Sequence, residues 1–516
     1  MPSVSKIATF VAYALRHPNE AKAMVSYKIW RDPLNKIDQN PESGWDRPDM
    51  KRCWEFLDMT SRSFAAVIHE LDGDLSRVVA LFYLILRGLD TIEDDMTIPI
   101  EKKAPLLDNF YQRLEEDGWN FQESGPNEKD APLLREFQVV IAEYKRLDQG
   151  YKTAISDITK KMGAGMSRYA KFYAESGGKF SVDTLASFDL YCHFVAGLVG
   201  EGLSRLFSAS GKESEYLGEQ LTLSNSMGLM LQKTNILRDF REDCDEGRVF
   251  WPAEIWNKYV EKPEDLYKAG NEEKALWALS EMTVDALAHA TDALDYLTLL
   301  SNQSVFNFCA IPQVMAIATL ETCFMNPQVM HRNVKIRKGE AVQLIMKATN
   351  PRDVAYIFRD YMRKIHAKAR ANDPSFIKIA VLTGRIEQWT ESRYPSFIQV
   401  GEPIPLSCED WVPGRDARIK QLPGPGPEEL ALRERKEAAE AMGQQKMTGE
   451  DYKFLCYLIL GMLGVILTVL GVAGGLIWFF YLRAGAPFGD ESTELAAASI
   501  AAAAKGVVKN KLKIEL

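Results

Sequence analysis

Gln232, Asn235, Asp239 and Asp243 recur at the spacing of one face of an α-helix, and this spacing constrains the fold more than any other feature of the chain. At 100° per residue the four fall within about 80° of one another, a single polar stripe. The opposite face carries Met227, Met230 and Leu237, with Phe240 towards its edge. Oxygen donors in a helix otherwise this apolar read as the wall of a pocket. A second acidic group, Asp90, Glu93 and Asp94, spans about 100° on a helix, with Asp95 pointing elsewhere. It follows the apolar run LFYLILRGL, so its carboxylates face inward at the end of a mostly buried helix. Buried carboxylates without partners are costly, and Arg87 is the one nearby residue that offsets them. Alone, this group reads equally well as a solvated, acid-rich helix end; the second stripe shifts the balance. Oxygen-only ligands select Mg²⁺ over zinc or copper, and Mg²⁺ in turn clamps the oxygens of a diphosphate.

Residues 1–410 carry long helical patterns, among them Leu75–Asp90, Leu190–Ser208, Asn225–Asp243, Ala275–Leu300 and Ile311–Phe324, with scarce alternation. The fold class expected is all-α. A short apolar stretch, Ala8–Leu15, reads as a weakly amphipathic first helix, being too brief for a signal peptide. Positions 301–320 are uncharged, but Asn302, Gln303, Asn307, Pro312 and Gln313 favour a buried helix lining a pocket over a membrane span. The Pro-Gly-Pro-Gly-Pro at 423–427 and the charged stretch after it make 411–453 a linker. From Phe454 to Leu482, 29 residues pass without a charge. That exceeds the roughly 20 needed to cross a bilayer and predicts a C-terminal transmembrane helix at 454–482. Arg433, Arg435, Lys436, Lys446 and Lys453 precede it, against Arg483 after it, which places the large N-terminal part in the cytosol and the tail, 483–516, in the lumen. The formal charge of −9 argues against nucleic acid as a partner. Seven scattered cysteines with no CxxC argue against a disulfide framework or zinc site and fit a reducing, cytosolic compartment.

Arg62, Arg87, Arg238 and Arg248, with the segment Lys335-Ile336-Arg337-Lys338, are candidate phosphate ligands as a group. Phe64, Tyr83, Tyr191, Phe194, Phe306 and Phe308 lie in apolar helical runs. Some of these would line a cavity for an apolar, cationic reacting chain. His193 reads as a satisfied core histidine, and glycines 197, 200 and 202 permit close helix approach. No Gly-rich dinucleotide fingerprint is present beside a strand.

SRSFAAVI (61–68), LFYLILRGLDTIEDDMT (81–97), YCHFVAGLVGEGLSRLFSAS (191–210), NSMGLMLQKTNILRDFRED (225–243), VFNFCAIPQVMAIAT (305–319) and VKIRKG (334–339) occur in an order that resembles the squalene synthase family, with a fungal flavour in the extended linker. Phytoene synthases share the two aspartate motifs, so those alone resemble the wider head-to-head prenyl synthase superfamily. The resemblance implies a single isoprenoid-synthase domain with a central cavity. It also implies condensation of two farnesyl diphosphates to presqualene diphosphate, then reduction by NADPH to squalene, at the entry to sterol biosynthesis. By that likeness Asp90, Glu93, Asp94, Asn235, Asp239 and Asp243 would hold Mg²⁺. Arg62, Arg87, Arg238, Lys335 and Arg337 would bind phosphates of substrate or NADPH. Ser61, Ser63, Gln232 and Arg248 would meet substrate. Tyr191 would handle the proton of the first half-reaction and Phe306 would stabilise carbocations, with Tyr83 and Phe64 beside them. The endoplasmic reticulum membrane is the expected location, with the lipid bilayer and other sterol-pathway enzymes as partners. Two other readings compete: a phytoene or dehydrosqualene synthase, and a tail-anchored scaffold with an inactive synthase fold.

Overall fold

Helical periodicity in the sequence becomes helix almost everywhere. A computed structural model of the chain describes residues 13–396, apart from 32, 34, 62, 63 and 179, together with Tyr457. Arg62 and Ser63, the linker at 411–453, the expected span at 454–482 (Tyr457 aside) and the tail at 483–516 lie outside the described residues. In chain order the longer helices begin with α1 (Pro18–Trp30), α2 (Pro48–Thr60), α3 (Leu75–Asp94) and α4 (Gln149–Glu175). Next come α5 (Leu185–Cys192), α6 (Leu198–Ala209), α7 (Leu221–Arg238) and the short α8 (Phe240–Asp245). Then follow α9 (Glu272–Leu287), α10 (Ala290–Thr298), α11 (Gln303–Cys323), α12 (Lys338–Lys347), α13 (Pro351–Lys368) and α14 (Phe376–Arg393). Among the described residues one strand pair interrupts the helices. In it β1 (Phe180–Ser181) lies parallel to β2 (Arg248–Val249), with Phe180 opposite Arg248.

α7 is the axis of the fold, packed against α6, α9, α10 and α11. Its close crossing with α6 and with the wide π turn His193–Gly197 depends on glycine. A Cβ at Gly228 would stand 2.4 Å from the Ala196 carbonyl oxygen, and one at Gly200 would stand 2.3 Å from that of Ser224. Both are far inside van der Waals contact, so the backbones could not approach this closely with any larger residue. Across from this crossing, Gln313 of α11 donates to the Met227 carbonyl at 3.0 Å. α11 is buried along most of its length, as its Asn, Gln and Pro content predicts, and belongs to the core.

Three expected helices are subdivided. Leu190–Ser208 passes through the π turn, where His193 Nδ1 donates to Asn225 Oδ1 at 2.7 Å. Ala275–Leu300 breaks at a turn between α9 and α10, and both halves pack on α7. Asn225–Asp243 relaxes at Asp239 (φ −94°, ψ 7°). The bonds from Asp239 N to Asn235 O (2.9 Å) and from Asp243 N to Asp239 O (3.0 Å) preserve the helical register there, so the polar stripe survives the joint. Most of the expected first helix, Ala8–Leu15, lies outside the described residues; residues 13–16, at its end, are helical, and Pro18 begins α1, as suits proline's fixed φ.

A buried cation ties the axis to its neighbours. Lys233 of α7 is fully buried, with Nζ 2.6 Å from Asp189 of α5 and 2.8 Å from Asp285 of α9. Burial alone would lower its pKa, but the two carboxylates outweigh that and raise it.

Candidate active site

α3 ends where its sequence turns from apolar to acidic. Asp95 is buried and accepts from Thr97 N (2.9 Å), Thr97 Oγ1 (2.6 Å) and Gly125 N (2.7 Å). Burial would raise its pKa, but these bonds outweigh it and hold the carboxyl below its usual range. Asp95 therefore ends the helix structurally, and Asp90, Glu93 and Asp94 are left facing the cleft.

Those three acids lack partners of matching strength. Burial pushes Glu93 up to about 8, helped by Asp94 and Asp90. Burial pushes Asp90 up to about 7 against the pull of Arg87. Asp90 keeps 33% of its side chain accessible and Asp94 51%, so solvent still reaches these acids. Arg87 stands 3.7 Å from Asp90 and 3.9 Å from Asp130. It donates to Tyr83 Oη at 3.1 Å, and Tyr83 donates in turn to the Thr60 carbonyl at 3.3 Å, beside the buried Ser61. This chain of contacts aims the guanidinium at the acids.

The second motif arrives on α7 and α8. Gln232 is half-buried and Asn235 exposed. Arg238 grips Asp239 with two bonds, 2.8 and 2.6 Å, and Asn333 also donates to Asp239. Burial pushes Asp243 up to about 7, against Arg248 and with Asp239. Arg241 pairs with Asp245 at 2.9 Å, off the stripe.

Arg248 joins the two motifs. Pairing of β2 with Phe180 fixes its backbone, and its Nη1 lies 3.5 Å from Asp94 while Nη2 lies 3.7 Å from Asp243. Nη2 also contacts Glu246. Beside it opens a cavity of about 290 Å³ lined by Glu93, Asp94, Lys103, Tyr169, Phe180, Tyr191, Arg248 and Phe250, among others. Tyr191 stacks on Phe250 (5.1 Å, 27°) and meets Tyr169 edge-on (5.1 Å, 89°). Burial, then Glu93, raises the Tyr191 hydroxyl well above its usual value, so it stays protonated and able to donate.

The structure thus gathers Glu93, Asp94, Tyr191 and Arg248 at one cavity, with Asp243 against Arg248 and Arg87 against Asp90. It does not gather every expected residue there. Phe306 is buried on α11, Phe64 is 40% exposed, and neither lines this cavity. Lys335 is exposed and makes no ion pair among the described residues, whereas Arg337 is held by Glu20 of α1 (2.9 Å) and by Glu340 (2.9 Å). Tyr13 donates to the same Glu20 and accepts from Gly339 N at 3.2 Å. Sequence reasoning missed Asp130, Lys103, Asn333 and the aromatic wall of Tyr169, Phe180 and Phe250. Adjacency could have found two of them, since Phe250 and Asn333 each lie two residues from a named candidate, Arg248 and Lys335.

Among the described residues no three acids converge closely enough to share an ion. The donor set nevertheless fits Mg²⁺ by chemistry: all oxygen, and with carboxylates whose charge is incompletely offset. For a dinucleotide, the free Lys335 beside Arg337 fits a phosphate.

The profile of the family described as squalene/phytoene synthase matches residues 57–340. Squalene synthase of Mycosarcoma maydis is 60% identical over 411 residues, covering 76% of this chain and 71% of its own. Squalene synthase of Schizosaccharomyces pombe is 48% identical over 455 residues, covering 88% and 95%. A solved complex of TcSQS with the ligand E5700 superposes with a TM-score of 0.64 at 40% identity, covering 67% of this chain and 99% of that one.

Proposed function

We propose, from the premise that this chain belongs to the squalene/phytoene synthase family, that it condenses two farnesyl diphosphates to presqualene diphosphate and reduces this to squalene. The observation that carries the reading is the meeting of two acidic motifs across Arg248 at a cavity walled by Tyr191 and Phe250. High identity to squalene synthases over most of the chain supports the same reaction.

Asp90, Glu93, Asp94, Asn235, Asp239 and Asp243 would hold Mg²⁺, which when bound neutralises the charge gathering on departing diphosphate. Arg87 and Arg248 add fixed positive charge at the same place, with Arg238 next to Asp239. The protonated Tyr191 is placed to pass a proton at the diphosphate end of the cavity. Its aromatic neighbours exclude water from the allylic cation and face it with π density. Lys335 and Arg337 would bind the phosphates of NADPH, the hydride donor of the second half-reaction. Phe306, Phe64, Ser61, Ser63, Gln232 and Arg62 would complete the substrate surface. The uncharged run at 454–482 would anchor the enzyme in the endoplasmic reticulum membrane with its catalytic part in the cytosol.

Incubating the protein with farnesyl diphosphate, Mg²⁺ and NADPH, then identifying the hydrocarbon, tests the reading. Squalene is the expected product. An unreduced C30 product in the presence of NADPH would point instead to a dehydrosqualene synthase, and no diphosphate release would favour an inactive scaffold.

A further inference from the structure

We infer that Arg248 is an internal counter-cation: it spans the two acidic motifs while they are free of metal, is displaced when divalent ions bind, and then offers its donors to an anionic ligand in the cavity. The inference rests on the metal-holding reading above and deepens it.

Three observations carry it. Among the described residues, Arg248 is the one cation in ion contact with both motifs, at 3.5 Å to Asp94 and 3.7 Å to Asp243. Both distances exceed those of tight charge-assisted hydrogen bonds, so neither motif holds the guanidinium; its one close partner is Glu246, two residues away on the same segment, which can move with it. Compare Arg238, whose two bonds to Asp239 at 2.8 and 2.6 Å form a closed pair. Second, Arg248 Nε is buried and donates to nothing among the described residues. A buried donor left unpaired is costly, and a guanidinium cannot shed the proton to escape that cost. An acceptor arriving in the cavity that Arg248 lines would satisfy it. Third, the side chain can shift without its backbone following. The β2 pairing to Phe180 holds the main chain, and the guanidinium lies 5.7 Å over the Phe250 ring, a surface that tolerates sliding of the planar group.

The electrostatics give a direction. With the site empty, one positive charge partly offsets carboxylates that would otherwise repel across the cleft. A divalent ion bound by the same carboxylates repels the guanidinium, and the two cations therefore compete. The anion that follows needs both, which reverses the sign: competition towards metal alone, cooperation once a diphosphate is present.

Mn²⁺ binding to the full chain in detergent micelles, followed by electron paramagnetic resonance without substrate, tests this directly. The Arg248→Met protein is expected to bind Mn²⁺ more tightly than the unmodified chain, on the order of tenfold. With Mn²⁺ saturating, it should bind inorganic diphosphate more weakly, measured by calorimetry. Arg248→Lys should return Mn²⁺ affinity towards the original value, because the charge is restored, while leaving diphosphate binding impaired. Far-ultraviolet dichroism of each variant checks that the helices persist; if Arg248→Met fails to fold, Arg248→Gln takes its place. Unchanged or weaker Mn²⁺ binding by the folded neutral variant overturns the inference and leaves the metal reading standing. Absence of Mn²⁺ binding by the unmodified chain overturns both.

Discussion

Asp90, Glu93 and Asp243 hold protons to about 7, 8 and 7, far above the ordinary carboxyl range near 4. A carboxyl raised in this way favours folding while it is protonated. Its contribution is complete below about pH 4 and is lost as pH rises through 7 to 8. The metal-free protein should therefore melt at a lower temperature at about pH 8.5 than at about pH 6, and Mg²⁺ should recover more of the loss at the higher pH. Scanning calorimetry with a chelator and then with Mg²⁺ checks this; a metal-free melting point that climbed over this range would refute it. Asp94→Asn and Asp239→Asn should each cut squalene formation by on the order of a hundredfold or more with the dichroism spectrum intact. Periodicity made the facing of these acids legible from the sequence, as it did the exclusion of Asp95. It could not reveal that Arg248 bridges them, because the contact depends on a strand pair two residues long, below any sequence signal. Asp130 was illegible for a similar reason, sitting in an irregular loop that only the tertiary fold brings to Arg87.

At the level of elements, α7 owes its position to absent side chains on one face and to a buried charge on another. Gly228→Ala would drive a Cβ against the Ala196 carbonyl and the Gly197 nitrogen, both backbone and unable to yield cheaply. The expected loss is about 1–3 kcal/mol, read as a lower urea midpoint at unchanged slope. Lys233→Met would leave Asp189 and Asp285 without their cation and should cost about 3 kcal/mol or more in the same measurement. The glycines of the YCHFVAGLVGEG stretch announced a close crossing in the sequence. The lysine did not announce its burial, since one-dimensional periodicity shows the face a residue occupies and not what two other helices bring to it.

Across the whole molecule, the described residues form the helical catalytic unit, and the expected membrane span follows it in sequence. Deleting residues 450–516 should release the enzyme from the membrane fraction with its squalene synthesis retained, checked by ultracentrifugation and product assay. Loss of activity in a soluble, folded product would give the tail a catalytic part. The opposite end of the chain has its own consequence. Among the described side chains of α1 only Ala21 and Glu20 are buried, and that one carboxylate occupies the guanidinium of Arg337. Gly339 has no Cβ because Tyr13 and Glu20 fill the hollow where one would stand. A protein shortened to start beyond Trp30 would keep the basic segment but lose its resident anion, leaving Arg337 answered by Glu340 alone. On the role proposed for Lys335 and Arg337, such shortened forms should bind NADPH more tightly than the intact chain, a difference that calorimetry on both would read.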